Sequence, residues 1–143
     1  MKVDDTKLRE ALQSLHPGPL SPTDAAAIID VARFAASVDG RMDLKEMATV
    51  ARLSKIIYAM TGTAEPSVPS TPVTQAWMTE VGKKVTVASV RELAFAAAYV
   101  IVLADGKVTS EETALGAQLT NALRISTARM TAITQLVDAV ARG

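Results

Sequence analysis

The chain has 143 residues, 49% of them apolar, with fifteen basic and fifteen acidic side chains and a formal net charge of zero. That length is a one-domain size able to bury roughly 70% of the surface exposed by the unfolded chain. The charge balance argues against a nucleic-acid binder driven by phosphate neutralisation and against a polybasic membrane-surface protein. The absence of cysteine removes thiol catalysis, zinc–cysteine sites and disulfides.

Met1-Lys2-Val3-Asp4-Asp5 carries acids where a secretory leader would be basic and then apolar, so none is expected. A first helix is predicted over about Asp5 to Leu15, with Leu8, Leu12 and Leu15 on one stripe. His16-Pro17-Gly18-Pro19 ends it, and His16, the only histidine, reads as a solvent-exposed helix end with no general-base role. Ser21, Pro22 and Asp24 then supply an N-cap, a proline at the first helical position and a carboxylate at N3. The helix they open runs to about Val38 and presents Ile28, Ile29, Val31, Ala32, Ala35 and Val38, a stripe wide enough to be largely buried.

A third helix is predicted from about Leu44 to Met60, with Met47, Val50, Ala51, Leu53, Ile57 and Met60 at its apolar positions. Residues 61–72 break the pattern: Pro66, Pro69 and Pro72 at intervals of three favour a stiff extended connector. Thr71 with Pro72 restarts a short fourth helix carrying Val73, Ala76, Trp77 and Val81, and Gly82 beside Lys83 and Lys84 is expected to end it. The fifth helix runs from Thr86 or Val87 to about Leu103. It holds the longest apolar run, Leu93 to Ala104, twelve residues where a membrane span needs about twenty. It therefore reads as a buried core helix. A sixth helix from about Ser110 to Leu123 and a seventh capped by Ser126 and reaching about Ala141 complete the chain. Val100–Leu103 and Ile56–Tyr58 favour strand by residue type but sit inside helical periodicity. The expectation is an all-α, single-domain bundle of about seven helices.

One short phrase occurs twice, at Asp39-Gly40-Arg41-Met42-Asp43-Leu44-Lys45-Glu46 and at Asp105-Gly106-Lys107-Val108-Thr109-Ser110-Glu111-Glu112. Both copies read Asp-Gly-basic-apolar-x-x-x-Glu after an alanine-rich helix and before an apolar-periodic one. Superposing them also pairs Leu53 with Leu119 and Ile57 with Leu123, which makes the recurring unit a helix–turn–helix. Repeat one spans about residues 22–60 and repeat two about 87–123.

Two readings of the phrase compete. In the first, Gly40 and Gly106 close one helix, Asp43 and Thr109 cap the next, and Glu46 and Glu112 stand at N3 of capping boxes worth about 1 kcal/mol each. Met42 and Met47 then form a hydrophobic staple. In the second, Asp39, Asp43 and Glu46 in one copy, and Asp105, Glu111 and Glu112 in the other, offer carboxylates to a hard divalent cation such as Ca²⁺ or Mg²⁺. The phrase matches only the later half of an EF-hand loop. Ala35, Ser37, Ile101 and Leu103 fall where its first ligands would stand, so an ordinary EF-hand is excluded.

No phosphate-binding glycine loop, metalloprotease helix or nucleophile elbow occurs, and no enzyme is expected. Asp30 with Arg33 reads as an i,i+3 pair, and Glu92 as a carboxylate favoured by the dipole of its helix. Phe34, Trp77 and Phe95 stand among apolar residues and read as core.

The two Asp-Gly-[Arg/Lys]-[Met/Val]-x-x-x-Glu turns, in register after Phe34-Ala35-Ala36-Ser37-Val38 and Val100-Ile101-Val102-Leu103-Ala104, resemble the TerB-like family, named for bacterial tellurite-resistance proteins. The resemblance covers about residues 22–142. It implies a cytoplasmic, non-enzymatic domain that binds divalent metal and joins a stress-response or membrane-associated assembly through a protein partner, without spanning the membrane. Related domains sit in DnaJ-type co-chaperones. The family's acidic turn positions fall on Asp39 and Glu46, and on Asp105 and Glu112. The chain departs from an acidic member in its neutral charge balance and in Lys45, where the second copy has Glu111. The rival reading is a structural or adaptor protein whose helical surface binds a protein partner, with both turns serving only as caps. Homo-oligomerisation stays open.

Overall fold

The computed structural model describes residues 4–37, 44–66, 73–105 and 110–142; the side chains of residues 105, 110–113, 141 and 142 lie outside that description. Among the described residues there are seven α-helices and no strand: α1 Asp5–Leu15, α2 Pro22–Ala36, α3 Leu44–Ala59, α4 Gln75–Lys84, α5 Ala88–Asp105, α6 Ser110–Ala122 and α7 Thr127–Arg142. The chain folds as one all-α domain.

Local chemistry sets the helix starts. The Asp4 carboxylate accepts from the backbone N–H of Thr6 at 2.8 Å and of Lys7 at 3.2 Å, satisfying two donors that α1 cannot pair internally. Ser21 Oγ accepts from Asp24 N–H at 3.1 Å with Pro22 as first helical residue, and Ser126 Oγ accepts from Arg129 N–H at 3.2 Å.

The fourth helix corrects the expectation at both ends. It begins at Gln75, because Thr74 is the residue whose hydroxyl accepts from the N–H three positions on, that of Trp77 at 3.1 Å. Val73 precedes the helix, and Thr71 and Pro72 lie outside the described residues. Gly82 is a helical residue and no terminator. A Cβ placed on it would lie 2.2 Å from the Ala122 carbonyl oxygen, so glycine stands there to let the backbones of α4 and α6 touch. The carbonyls near the end of α4 are capped from α5: Arg91 Nη2 donates to Gly82 O at 2.7 Å and Nε to Val85 O at 2.6 Å.

α5 is the hub, packing against α1, α2, α3, α6 and α7. Its stretch Leu93-Ala94-Phe95-Ala96-Ala97-Ala98 is at most 4% exposed at any position, so no face of it meets solvent. A helix apolar all round has to be enclosed by others, and this one is. The most extensive contact is with α2, where Ala25, Ile28, Val31, Ala32 and Ala36 are wholly buried. Both helices bury alanines, which suit a close approach, and Ile28, Leu93 and Ile101 are buried with them.

Polar links cross the bundle at its rim. Glu92 pairs with Arg129 through Nη2 at 2.6 Å and Nε at 3.2 Å, joining α5 to α7, and Tyr99 Oη donates to Asp138 at 2.9 Å between the same helices. Arg52 of α3 donates to the Asp5 carboxylate of α1. Among the described residues no helix is long and apolar enough to cross a membrane.

Candidate functional site

Each Asp-Gly phrase falls between a helix of the central α2/α5 pair and the helix that follows, the first between α2 and α3 and the second between α5 and α6. Asp39 and Asp43 lie outside the described residues. Asp105 is the last residue of α5, while Glu111 and Glu112 stand in the first turn of α6; their side chains are outside the description. Glu46 has a described side chain. It is the third residue of α3, half-buried, and it is engaged with a partner. Leu44 and Ser110 as first helical residues put Glu46 and Glu112 at N3, the register a capping box requires and the place where the helix dipole favours a carboxylate.

The residues in front of the phrases are unsuited to ligation. Ala35 and Ile101, each 2% exposed, are core residues of α2 and α5. Ser37 Oγ donates to the Arg33 carbonyl at 3.0 Å, so its hydroxyl helps close α2. Among the described residues no group of three His, Asp or Glu side chains could hold an ion.

A charge pair with a buried Arg33 and a half-buried Asp30 sits in the turns of α2 that lead toward the first phrase. Arg33, 6% exposed, donates from Nη1 to Asp30 Oδ1 at 2.7 Å, the i,i+3 pair expected from sequence. The pair has a third neighbour on α3. Burial first, and the Asp30 carboxylate second, hold the Tyr58 phenol above its ordinary pKa, since both oppose a phenolate.

His16 is not the exposed helix end expected of it. It is half-buried, its Nδ1 lies 2.7 Å from Ser89 Oγ, and its Nε2 lies 3.1 Å from the Pro19 carbonyl. A carbonyl can only accept, so Nε2 carries a hydrogen, and Ser89 donates to Nδ1 when the ring is neutral. The contact ties the α1–α2 loop to the start of α5 across 73 positions of sequence, a distance at which no local pattern could show it. Glu92 likewise finds Arg129, 37 positions away. A basic residue at the start of α7 was the available signal.

No family model, curated protein or solved structure matches this chain.

Proposed function

We propose that this protein is a non-enzymatic, TerB-like binding module of the bacterial cytoplasm that takes a divalent cation, Ca²⁺ or Mg²⁺, through its two acidic turns and works through a protein partner in a stress-response assembly of the tellurite-resistance type. The observation that carries this reading is the recurrence of one acidic phrase at equivalent chain positions, each time after a helix of the central pair. Support comes from the residues beyond the turns: Leu53 and Leu119, and Ile57 and Leu123, the pairs matched by superposing the copies, are at most 3% exposed. Capping alone needs the N-cap and the N3 carboxylate; it leaves Asp39, Asp105 and Glu111 without a stated task.

Thermal unfolding of chelator-treated protein tests it, with Ca²⁺, Mg²⁺, Mn²⁺ and Zn²⁺ added singly at physiological ionic strength. A ligand selective for the folded state raises the melting temperature by mass action. The expected result is a saturable rise with Ca²⁺ or Mg²⁺ that is lost when Glu46→Gln and Glu112→Gln are combined, because glutamine keeps part of a capping box but is a poorer cation ligand. No shift with any ion would leave the turns as caps.

A second reading is favoured by one observation. Leu44 is 84% exposed and Met47 36%, three residues apart on the first turn of α3. An adaptor that docks a protein partner on this helical surface, with the turns as caps, would use that apolar spot.

A further inference from the structure

The contact between α4 and α6 opens into a cleft of about 380 Å³. Met78, wholly buried, lies at its base, and Lys83, Gln118, Asn121 and Arg124 line it together with Thr79. Among the described residues no carboxylate lines it. Glu80 pairs with Lys83 at 3.2 Å across an exposed edge of α4 but is not a lining residue, and the Thr79 hydroxyl is spent on the Gln75 carbonyl at 3.1 Å.

Arg124 holds its place against a backbone preference. Its φ is +55°, the one non-glycine positive φ among the described residues, at the position that closes α6. The closure has the full Schellman pattern: Ile125 N–H donates to Thr120 O at 2.9 Å and Arg124 N–H to Asn121 O at 3.3 Å. Glycine is the ordinary residue at such a position, because a Cβ crowds the left-handed conformation. The turn would close at least as well without any side chain.

The Schellman bonds meet the Thr120 and Asn121 carbonyls of α6, and Arg91 meets those of Gly82 and Val85 at the end of α4. Lys83, which also pairs with Glu80, and Arg124 bring two positive side chains to the cleft, and the amides of Gln118 and Asn121 add neutral donors one turn apart. A guanidinium fork, an ammonium and two amides suit the tetrahedral oxygens of a doubly charged phosphate. The volume admits that group with a small carrier.

We propose that the α4–α6 cleft binds a phosphate monoester, with Arg124 and Lys83 neutralising its charge and Gln118 and Asn121 orienting it. The site is separate from the acidic turns, and its failure would leave the cation reading untouched. Isothermal titration of the full chain with glycerol 3-phosphate, at two salt concentrations, tests it. Saturable binding that weakens with salt is expected, reduced about tenfold or more by Arg124→Gln and by Lys83→Gln, as befits lost charge-assisted hydrogen bonds. Arg124→Gly should abolish binding while raising the melting temperature by roughly 2–4 °C, which a residue kept for stability would not do. Retention on phosphatidic-acid vesicles, lost in the same variants, would identify a lipid headgroup as the carrier; no retention identifies a soluble ester. Absence of saturation with both probes, or equal affinity in the parent and both glutamine variants, would overturn the site.

Discussion

The α2/α5 junction and the α4/α6 junction both bring helices together through small residues, with opposite results. Between α2 and α5 both helices bury alanines, the flanking positions are Ile28, Leu93 and Ile101, and the contact is dry. Between α4 and α6 the approach depends on Gly82, and the flanking positions are Lys83, Gln118, Asn121 and Arg124, so the contact opens into a cleft rimmed by polar side chains. Small residues decide how near two helices come. The residues one turn to either side decide whether the gap becomes core or a site.

The comparison can be broken most severely at its dry side. Leu93→Ala removes a wholly buried side chain from a helix enclosed all round, and should cost about 2–5 kcal/mol, because a centre packed on every side has little room to collapse into the cavity. Chemical denaturation measures it. At the polar junction, Gly82→Ala sets a methyl against the Ala122 carbonyl and should cost about 1–3 kcal/mol by forcing α4 off α6. Gly116 sharpens the point, since it too lies within a helix, α6, but a Cβ there meets nothing within 4 Å. Gly116→Ala should stabilise the protein by about 0.5–1 kcal/mol through helix propensity alone. Two glycines in contacting helices are thus expected to respond with opposite sign, and equal responses would refute the close-approach role of Gly82.

The smallest expected effect is on pH dependence. The folded pKa of Tyr58 lies above its unfolded value, so its contribution to stability is complete below about pH 10 and is lost as pH rises through the folded pKa. Urea unfolding between about pH 9 and pH 11 should show a steeper alkaline loss for the parent chain than for Tyr58→Phe. Parallel curves would show that Asp30 and burial do not act on this phenol.

Much of the fold was legible because its signals are local. Ser21-Pro22, Ser126 and the run Leu93 to Ala104 announce helix starts and a buried helix within a few residues of themselves, and the helices follow them. Thr71 and Thr74 are nearly interchangeable by the same logic, and only the hydroxyl bonded to Trp77 N–H distinguishes the true start. Gly82 was misread as a terminator because the Ala122 carbonyl that explains it lies 40 positions on. The α4–α6 cleft and the His16–Ser89 tie were invisible for that reason also. The acidic phrases, in contrast, stand out in the sequence through repetition, which exposes a pattern before any partner is known. Repetition does not say whether the carboxylates serve the backbone or an ion.

Paramagnetic broadening by Mn²⁺ in an amide-resolved NMR spectrum addresses that choice most directly, because it reports where an ion sits. Substoichiometric Mn²⁺ added to chelator-treated protein should broaden the amides of residues 39–46 and 105–112 first, and Ca²⁺ or Mg²⁺ in excess should restore them. Broadening that is uniform over the surface, or centred away from both phrases, would contradict a cation site in the turns and leave Glu46 and Glu112 as capping residues.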